Sequence, residues 1–288
     1  MHSAGLVLHP RRASAAAVEA VLGWAGNRGI EILGIEDEIV RLDCAAIGVT
    51  AEELGRRADL VVSLGGDGTM LRAMRLADGQ RAPVLGVNLG KLGFLAEVDV
   101  PDLPGALSAI DDQRFTVEPR LAVDAVLARR KITAFNDIAV VRVPGDGSAV
   151  VAVRVGGQPF VSYSADAVVV ATPTGSTAYS FSAGGPITSP SVEALLVTPA
   201  APHSAYSRGV VLSVRDEVTL ELLPTSGRLA VEVDGQVEGY VSPGDRLDLS
   251  ARPSAARVVR LGMTTFYQRA RRKLRLTDSA EIPDGGEH

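Results

Sequence analysis

The sequence predicts an α/β domain built on a parallel sheet, followed by an all-β domain. Over the first hundred residues, strand-like apolar runs alternate with segments of helical periodicity, the pattern of a sheet covered on both faces. From about Arg114 the period changes to short Val-rich runs punctuated by turn residues. A glycine-rich turn, Gly65-Gly66-Asp67-Gly68-Thr69, lies between a buried strand and a helix, where an open α/β sheet binds ligands.

Taken in order, Gly5–His9 is a short apolar strand ending in His-Pro-Arg-Arg. Ser14 is placed to cap a helix carrying Val18, Val21, Leu22 and Ala25 on one face, and Asn27-Arg28-Gly29 ends it. Ile30–Leu33 reads as a strand, Ala51–Ala58 as a helix, Asp59–Leu64 as a buried strand, Thr69–Ala77 as a helix and Pro83–Asn88 as a further strand. Pro101–Asp112 is a helix leading to the boundary. Beyond it the strand runs are Ala122–Leu127, Asp137–Val143, Val150–Val155, Ala167–Ala171, Val210–Val214, Val218–Leu222, Leu229–Val233 and Arg246–Leu249. Pro144-Gly145-Asp146-Gly147, Gly156-Gly157, Asp234-Gly235 and Pro243-Gly244 supply turn chemistry between them. Helical pattern returns only after Gly262, so the expected division is 1–113 with about 263–288 in the first domain, and 114–262 in the second.

Composition narrows the class. The 288 residues are 46% apolar and 22% charged, enough for a sizeable core, which excludes a disordered or fibrous chain. No apolar run approaches the roughly 20 residues of a membrane span, and Met1–Arg12 lacks the order of a signal peptide. A single cysteine, Cys44, excludes a disulfide framework and a Cys-based metal site; the expected compartment is the cytoplasm. The net charge of −5 gives no reason to expect nucleic acid as a partner. The basic cluster Arg269–Arg275 reads as the solvated face of a C-terminal helix, with Phe266, Ala270 and Leu274 beneath it. His2, His9, His203 and His288 show no ligand spacing, Asp111-Asp112 and Asp216-Glu217 read as solvated turns, and Trp24 and Met74 as packing.

The glycine turn is the most informative segment. Its glycines let backbone N–H groups approach an oxyanion, and the following helix N-terminus favours phosphate. Asp67 is the odd residue, because an acid repels phosphate; it suits a group that takes a proton from a hydroxyl or holds Mg²⁺, or else simply caps the helix. Neither G-x-x-x-x-G-K-[ST] nor G-x-G-x-x-G occurs, which disfavours a P-loop NTPase and an ordinary Rossmann dehydrogenase. A second segment, Thr172 to Pro186, follows a strand and places five hydroxyl residues between Thr172 and Tyr179. It can bind a ribose or phosphate, or be a hydroxyl-rich turn.

With Asn88–Leu95 and Val233-Asp234-Gly235-Gln236, these segments resemble the NAD kinase family in the family's own order, bacterial members above all. The resemblance runs roughly from His9 to Leu276 and implies a Rossmann-like α/β domain, a C-terminal β-sandwich and a C-terminal helix packed back on the first domain. It also implies transfer of the γ-phosphate of ATP, or phosphate from polyphosphate, to the 2′-hydroxyl of the adenosine ribose of NAD, giving NADP. Mg²⁺ or another divalent cation, and a homodimer or homotetramer, belong to the same implication. By resemblance Asp67 activates or orients the hydroxyl, while Gly65, Gly66, Gly68 and Thr69, with Arg72 and Asp234, handle phosphate. Phe94 lies at adenine, Asn136 and Asp137 hold adenine and ribose, Asp166 lies near the nicotinamide carboxamide, and Thr177, Ala178, Tyr179 and Ser182 surround NAD.

Two positions depart from the family pattern. Asp137 stands where Glu is usual, about one methylene shorter, and Ala167 stands where Gly is usual, which requires a negative φ. The alternatives are a non-catalytic NAD- or NADP-binding sensor and a diacylglycerol- or sphingosine-type lipid kinase using the same glycine turn.

Overall fold

The computed structural model describes residues 1–12, 14–42, 44–90 and 93–276; Lys91 and Leu92 of the Asn88–Leu95 segment and the polar tail from Thr277 lie outside the described residues. The first half contains β1 (Ser3–Leu8), α1 (Ala15–Gly26), β2 (Glu31–Ile35), α2 (Glu36–Arg41), β3 (Ile47–Val49), α3 (Ala51–Arg57), β4 (Leu60–Gly65), α4 (Asp67–Leu76), β5 (Val84–Asn88), β6 (Val98–Asp99) and α5 (Leu103–Asp111). The second contains β7 (Thr116–Leu127), β8 (Arg130–Ala134), β9 (Asp137–Arg142), β10 (Ala149–Val155), β11 (Gln158–Ala165), β12 (Ala167–Ala171), α6 (Tyr179–Ser182), β13 (Ala194–Ala200), β14 (Val210–Ser213), β15 (Val218–Leu222), β16 (Leu229–Val233), β17 (Gln236–Val241), β18 (Arg246–Arg260) and α7 (Phe266–Leu274).

Strands β5-β4-β1-β2-β3 are parallel neighbours, with β6 parallel to β5. Their nearly continuous burial fits a sheet covered on both faces. Trp24 of α1 and Leu103, Leu107 and Ile110 of α5 pack with Leu6, Leu64 and Val87 on one face. Leu54 of α3 and Met70 and Met74 of α4 pack with Val7 and Val61 on the other.

The antiparallel part is a sandwich. The sheet β14-β13-β12-β9-β16-β17 packs on the β11-β10-β15-β18-β7-β8 region through one shared core, in which Val140, Val168 and Val231 meet Val123, Val151 and Leu247. The two parts share a sheet, because β18 pairs with β7 and β15 and reaches β5 at Val258↔Val84.

The expectation of a four-residue strand at Arg246–Leu249 falls short of the observed fifteen. Pro253 lies at the register shift between Arg252 and Ala256, an irregularity of the kind in which a strand accommodates proline. The largely exposed strand β17 and the acidic helix α2 present no regular apolar face and are absent from the expected elements. Ser14 does precede α1, but its side chain makes no capping bond there. No described helix is long and apolar enough to cross a membrane.

Candidate active site

The parallel sheet delivers the glycine turn directly. β4 ends at Gly65 and α4 begins at Asp67, so the turn lies at the carboxyl end of the sheet. None of Gly65, Gly66 and Gly68 has a positive φ, so close approach rather than backbone hand explains the glycine needed at Gly65: its missing Cβ leaves room for the buried Thr69 side chain. Gly66, Gly68 and Thr69 line a cavity of about 490 Å³. Arg12, Arg72 and Arg75 also line it, giving a cationic chamber beside a helix N-terminus, a place suited to phosphates.

Arg72 and Arg75 are held by anchors, and the backbone of Arg12 is fixed by His9. Arg72 is held by the Leu8 carbonyl at 2.6 Å and by Glu38 at 2.5 Å. His9 Nδ1 accepts the amides of Arg11 and Arg12, both at 3.0 Å, which folds the His-Pro-Arg-Arg segment toward the cavity. Burial, followed by the Arg12 and Arg72 charges, holds the His9 imidazole below its ordinary pKa and so neutral. Arg75 pairs with Asp234 at 2.8 Å. The fully buried Asp234 carboxylate also accepts the amides of Phe135 (3.2 Å), Asn136 (2.7 Å) and Asp137 (3.2 Å). Engaged by these donors, Asp234 ties Arg75 of the α/β part to the β8–β9 connection.

Asp67 stands in the wall between two cavities. The second, about 500 Å³, is lined by Asp67 and Gly68 with Phe94, Asn136, Thr177, Ala178 and Ser182 among others. It combines an aromatic ring with an amide and hydroxyls, suited to a nucleoside. Asp67 Oδ1 accepts the amides of Phe94 (3.0 Å) and Leu95 (3.1 Å), and Oδ2 accepts Lys273 Nζ at 2.9 Å. Lys273 also lies 4.3 Å from the centre of the Phe94 ring.

The hydroxyl-rich segment divides its labour. Thr172 Oγ1 donates to the Phe135 carbonyl (2.5 Å) and Ser176 Oγ to the Thr188 carbonyl (3.2 Å), both holding the loop. Thr174 and Thr177 line the second cavity. Gly175 lies against the Asn136 backbone, where a Cβ would overlap the carbonyl, and so locks the two binding segments together.

Asp137, Asp166 and Tyr179 lie outside both cavity walls. Asp166 pairs with Arg142 at 2.6 Å on a half-exposed edge. Tyr179 packs against the small cluster of Ala139, Val169, Ala171 and Leu196. Ala167 sits in β12 with no positive φ, so its Cβ is accommodated.

Asp137 is buried behind Asn136, and burial, reinforced by Asp234 and Glu232, pushes its carboxyl up to about 7. A raised folded-state value means that folding takes up a proton above the ordinary carboxylate range. The associated stability is complete at low pH and is lost as pH rises through about 7. Asp137→Asn therefore gains stability relative to the parent between pH 5 and pH 8, by roughly 5 °C in Tm of the ligand-free protein. Parallel Tm curves for the two proteins over that interval would refute it.

Arg12, Arg75, Phe181 and Lys273 join these walls without having been singled out for them in the sequence. Arg75 follows Arg72 by three residues on α4, the spacing that puts both on one helix face, which was a usable signal. The solvated-face reading of Arg269–Arg275 holds for the exposed Arg271, Arg272 and Arg275, but Arg269 is buried and the partly exposed Lys273 reaches Asp67.

A strand–glycine turn–helix beside a cationic chamber, one carboxylate shared with a nucleoside-sized cavity, and a covering β-sandwich together define a phosphotransferase of the two-domain α/β–β class. Residues 5–115 match the ATP-NAD kinase N-terminal domain and residues 135–261 the ATP-NAD kinase C-terminal domain. NAD kinase 1 of Streptomyces avermitilis is 40% identical, covering 98% of this chain and 89% of its own length. The NAD kinase of Desulforamulus reducens is 36% identical, with 96% and 98% covered. Yeast NADH kinase complexed with NADH superposes with a TM-score of 0.86 at 24% identity, covering 99% of this chain and 90% of that one. The chain belongs to the NAD kinase family, and it is an enzyme.

Proposed function

We propose that the enzyme transfers the γ-phosphate of ATP to the 2′-hydroxyl of the adenosine ribose of NAD, giving NADP and ADP. The observation that carries this reading is the position of Asp67 and Gly68 in both cavity walls, one arginine-lined and one aromatic and hydroxyl-lined. A donor triphosphate in the first and a nucleoside in the second would meet at Asp67. NAD is the acceptor named for the relatives, and an NAD kinase from Archaeoglobus fulgidus was solved in complex with ATP.

In the proposed step Asp67 Oδ2 orients the 2′-hydroxyl and receives its proton as the new O–P bond forms. The bond between the γ-phosphorus and the β–γ bridging oxygen breaks, and ADP leaves with that oxygen's charge. Arg12, Arg72 and Arg75 stabilise charge on the transferring group, and the rest of the catalysis is positioning. Phe94 would lie against adenine, and Asn136, Thr177, Ala178 and Ser182 would border the nucleoside. Asp137, Asp166 and Tyr179 would act at the margins of the NAD site.

Among the described residues no group of three or more His, Cys, Asp or Glu side chains could hold a metal ion by itself. Two acids border the donor cavity, Asp67 and Asp234, and the Asp234 carboxylate is fully buried against Arg75 and three amides, which leaves Asp67 as the carboxylate that faces it. One carboxylate with donor phosphates forms a set that fits Mg²⁺, which would neutralise phosphate charge when bound. The proposed assembly, by resemblance, is a homodimer or homotetramer, which light scattering measures.

The deciding experiment is NADP formation by the purified protein with Mg²⁺, testing NAD and NADH as acceptors against ATP and polyphosphate as donors. Product from NAD and ATP is expected. Folded protein that binds NAD without turnover would overturn the reading in favour of a sensor.

A further inference from the structure

We propose that Arg269 of the C-terminal helix is a positioning residue that holds Asp67 through the peptide joining Phe94 to Leu95. The Arg269 side chain is 2% exposed, and its Nε donates to the Phe94 carbonyl at 3.1 Å. The N–H of the same peptide plane belongs to Leu95 and donates to Asp67 Oδ1 at 3.1 Å. A cation thus acts on one end of a peptide dipole and an anion on the other, so each hydrogen bond polarises the next. Arg260 Nη1 pins the following carbonyl, that of Leu95, at 2.8 Å, which keeps this plane from turning away.

Arg269 Nη1 also donates to the Thr264 carbonyl at 2.7 Å and to its hydroxyl at 3.0 Å, which fixes the guanidinium. Glu97 in turn accepts the amides of Leu261 and Thr264, each at 3.1 Å, and so anchors the approach to α7. Burial and the Arg260 charge disfavour the charged form of Arg269, and the Glu97, Glu118 and Asp67 carboxylates favour it. If docking α7 were the sole requirement, an apolar side chain would serve as well or better, since burying a cation is costly. Among these carboxylates Asp67 is joined to Arg269 through one peptide plane, and that geometry points to it as the beneficiary. Lys273, one turn further along α7, reaches the same carboxylate directly.

The inference rests on the proposed role of Asp67, and the test separates the two. The kinetics of Arg269→Met, Arg269→Lys, Ala270→Gly and Asp67→Asn are compared alongside their Tm values. Ala270 is buried on the same helix, so Ala270→Gly loosens α7 without touching the relay. The expected result is a kcat for Arg269→Met about 10- to 100-fold below the parent, with KM for NAD and ATP within about threefold. Arg269→Lys, with one donor group and no fork, falls between, while Ala270→Gly keeps kcat within about twofold even where its Tm falls as far. Parent-like kcat in Arg269→Met, or equal kcat loss in Ala270→Gly at matched Tm, overturns the relay. If Arg269→Met does not fold, Arg269→Lys against Ala270→Gly decides by the same criterion. An inactive Asp67→Asn beside a fully active Arg269→Met sinks the relay alone; turnover retained in Asp67→Asn sinks the role of Asp67 and the relay with it.

Discussion

Asp67→Asn is expected to lower kcat for NADP formation by roughly 10²- to 10⁴-fold, the usual contribution of a positioned acid or base, while NAD affinity stays within about tenfold. The substitution keeps the side-chain volume, so neither cavity changes shape. It replaces one acceptor oxygen by an N–H donor in a place where the Phe94 and Leu95 amides and Lys273 already supply donors. Whichever way the amide turns, a donor faces a donor or the acceptor hydroxyl loses its partner. Steady-state kinetics and calorimetric NAD titration check the two halves of the expectation. Undiminished turnover would show that the hydroxyl is prepared by some other group.

The second large effect is expected at a glycine. A Cβ at Gly93 would overlap Asp67 Oδ1, whereas the carboxylate is held in place by two amides and a lysine. It cannot swing aside without giving up those bonds, so Gly93→Ala is expected to cost about 10²-fold in kcat, the scale of an ångström of misplacement. KM for ATP should change little, because Gly93 is absent from the arginine-lined wall. Gly105→Ala is the matched control: a Cβ there meets nothing within 4 Å on α5, and no loss of rate is expected. Parent-like turnover in Gly93→Ala would mean that Asp67 tolerates displacement, which its hydrogen bonds argue against.

Legibility followed local pattern. The 3.6-residue spacing of α1 and the buried runs of β4, β5 and β12 are strong signals, because a helix face or a strand covered on both sides leaves its period in the sequence. The glycine turn was legible for the same reason, since Gly65, Asp67 and Thr69 act within one short segment. Strand β17 was not, because its apolar residues Val237 and Tyr240 face solvent and no apolar face marks it. Asp234 was legible as an important acid, but its partners Arg75 and the Phe135–Asp137 amides are 97 to 159 residues away.

By itself, then, the sequence determined an α/β half, an all-β half, the acid at the turn and the family they resemble, since each rests on residues close together along the chain. Tertiary structure alone decided that Asp67 faces two cavities, that Asp234 anchors Arg75, that Asp137 is buried behind Asn136, and that a basic C-terminal helix buries Arg269 and brings Lys273 to Asp67. Those outcomes depend on contacts such as Lys273 to Asp67, which are 206 residues apart and leave no periodicity to read. A charged side chain's environment is set by what packs against it, and packing is a property of the assembled layers rather than of any one segment.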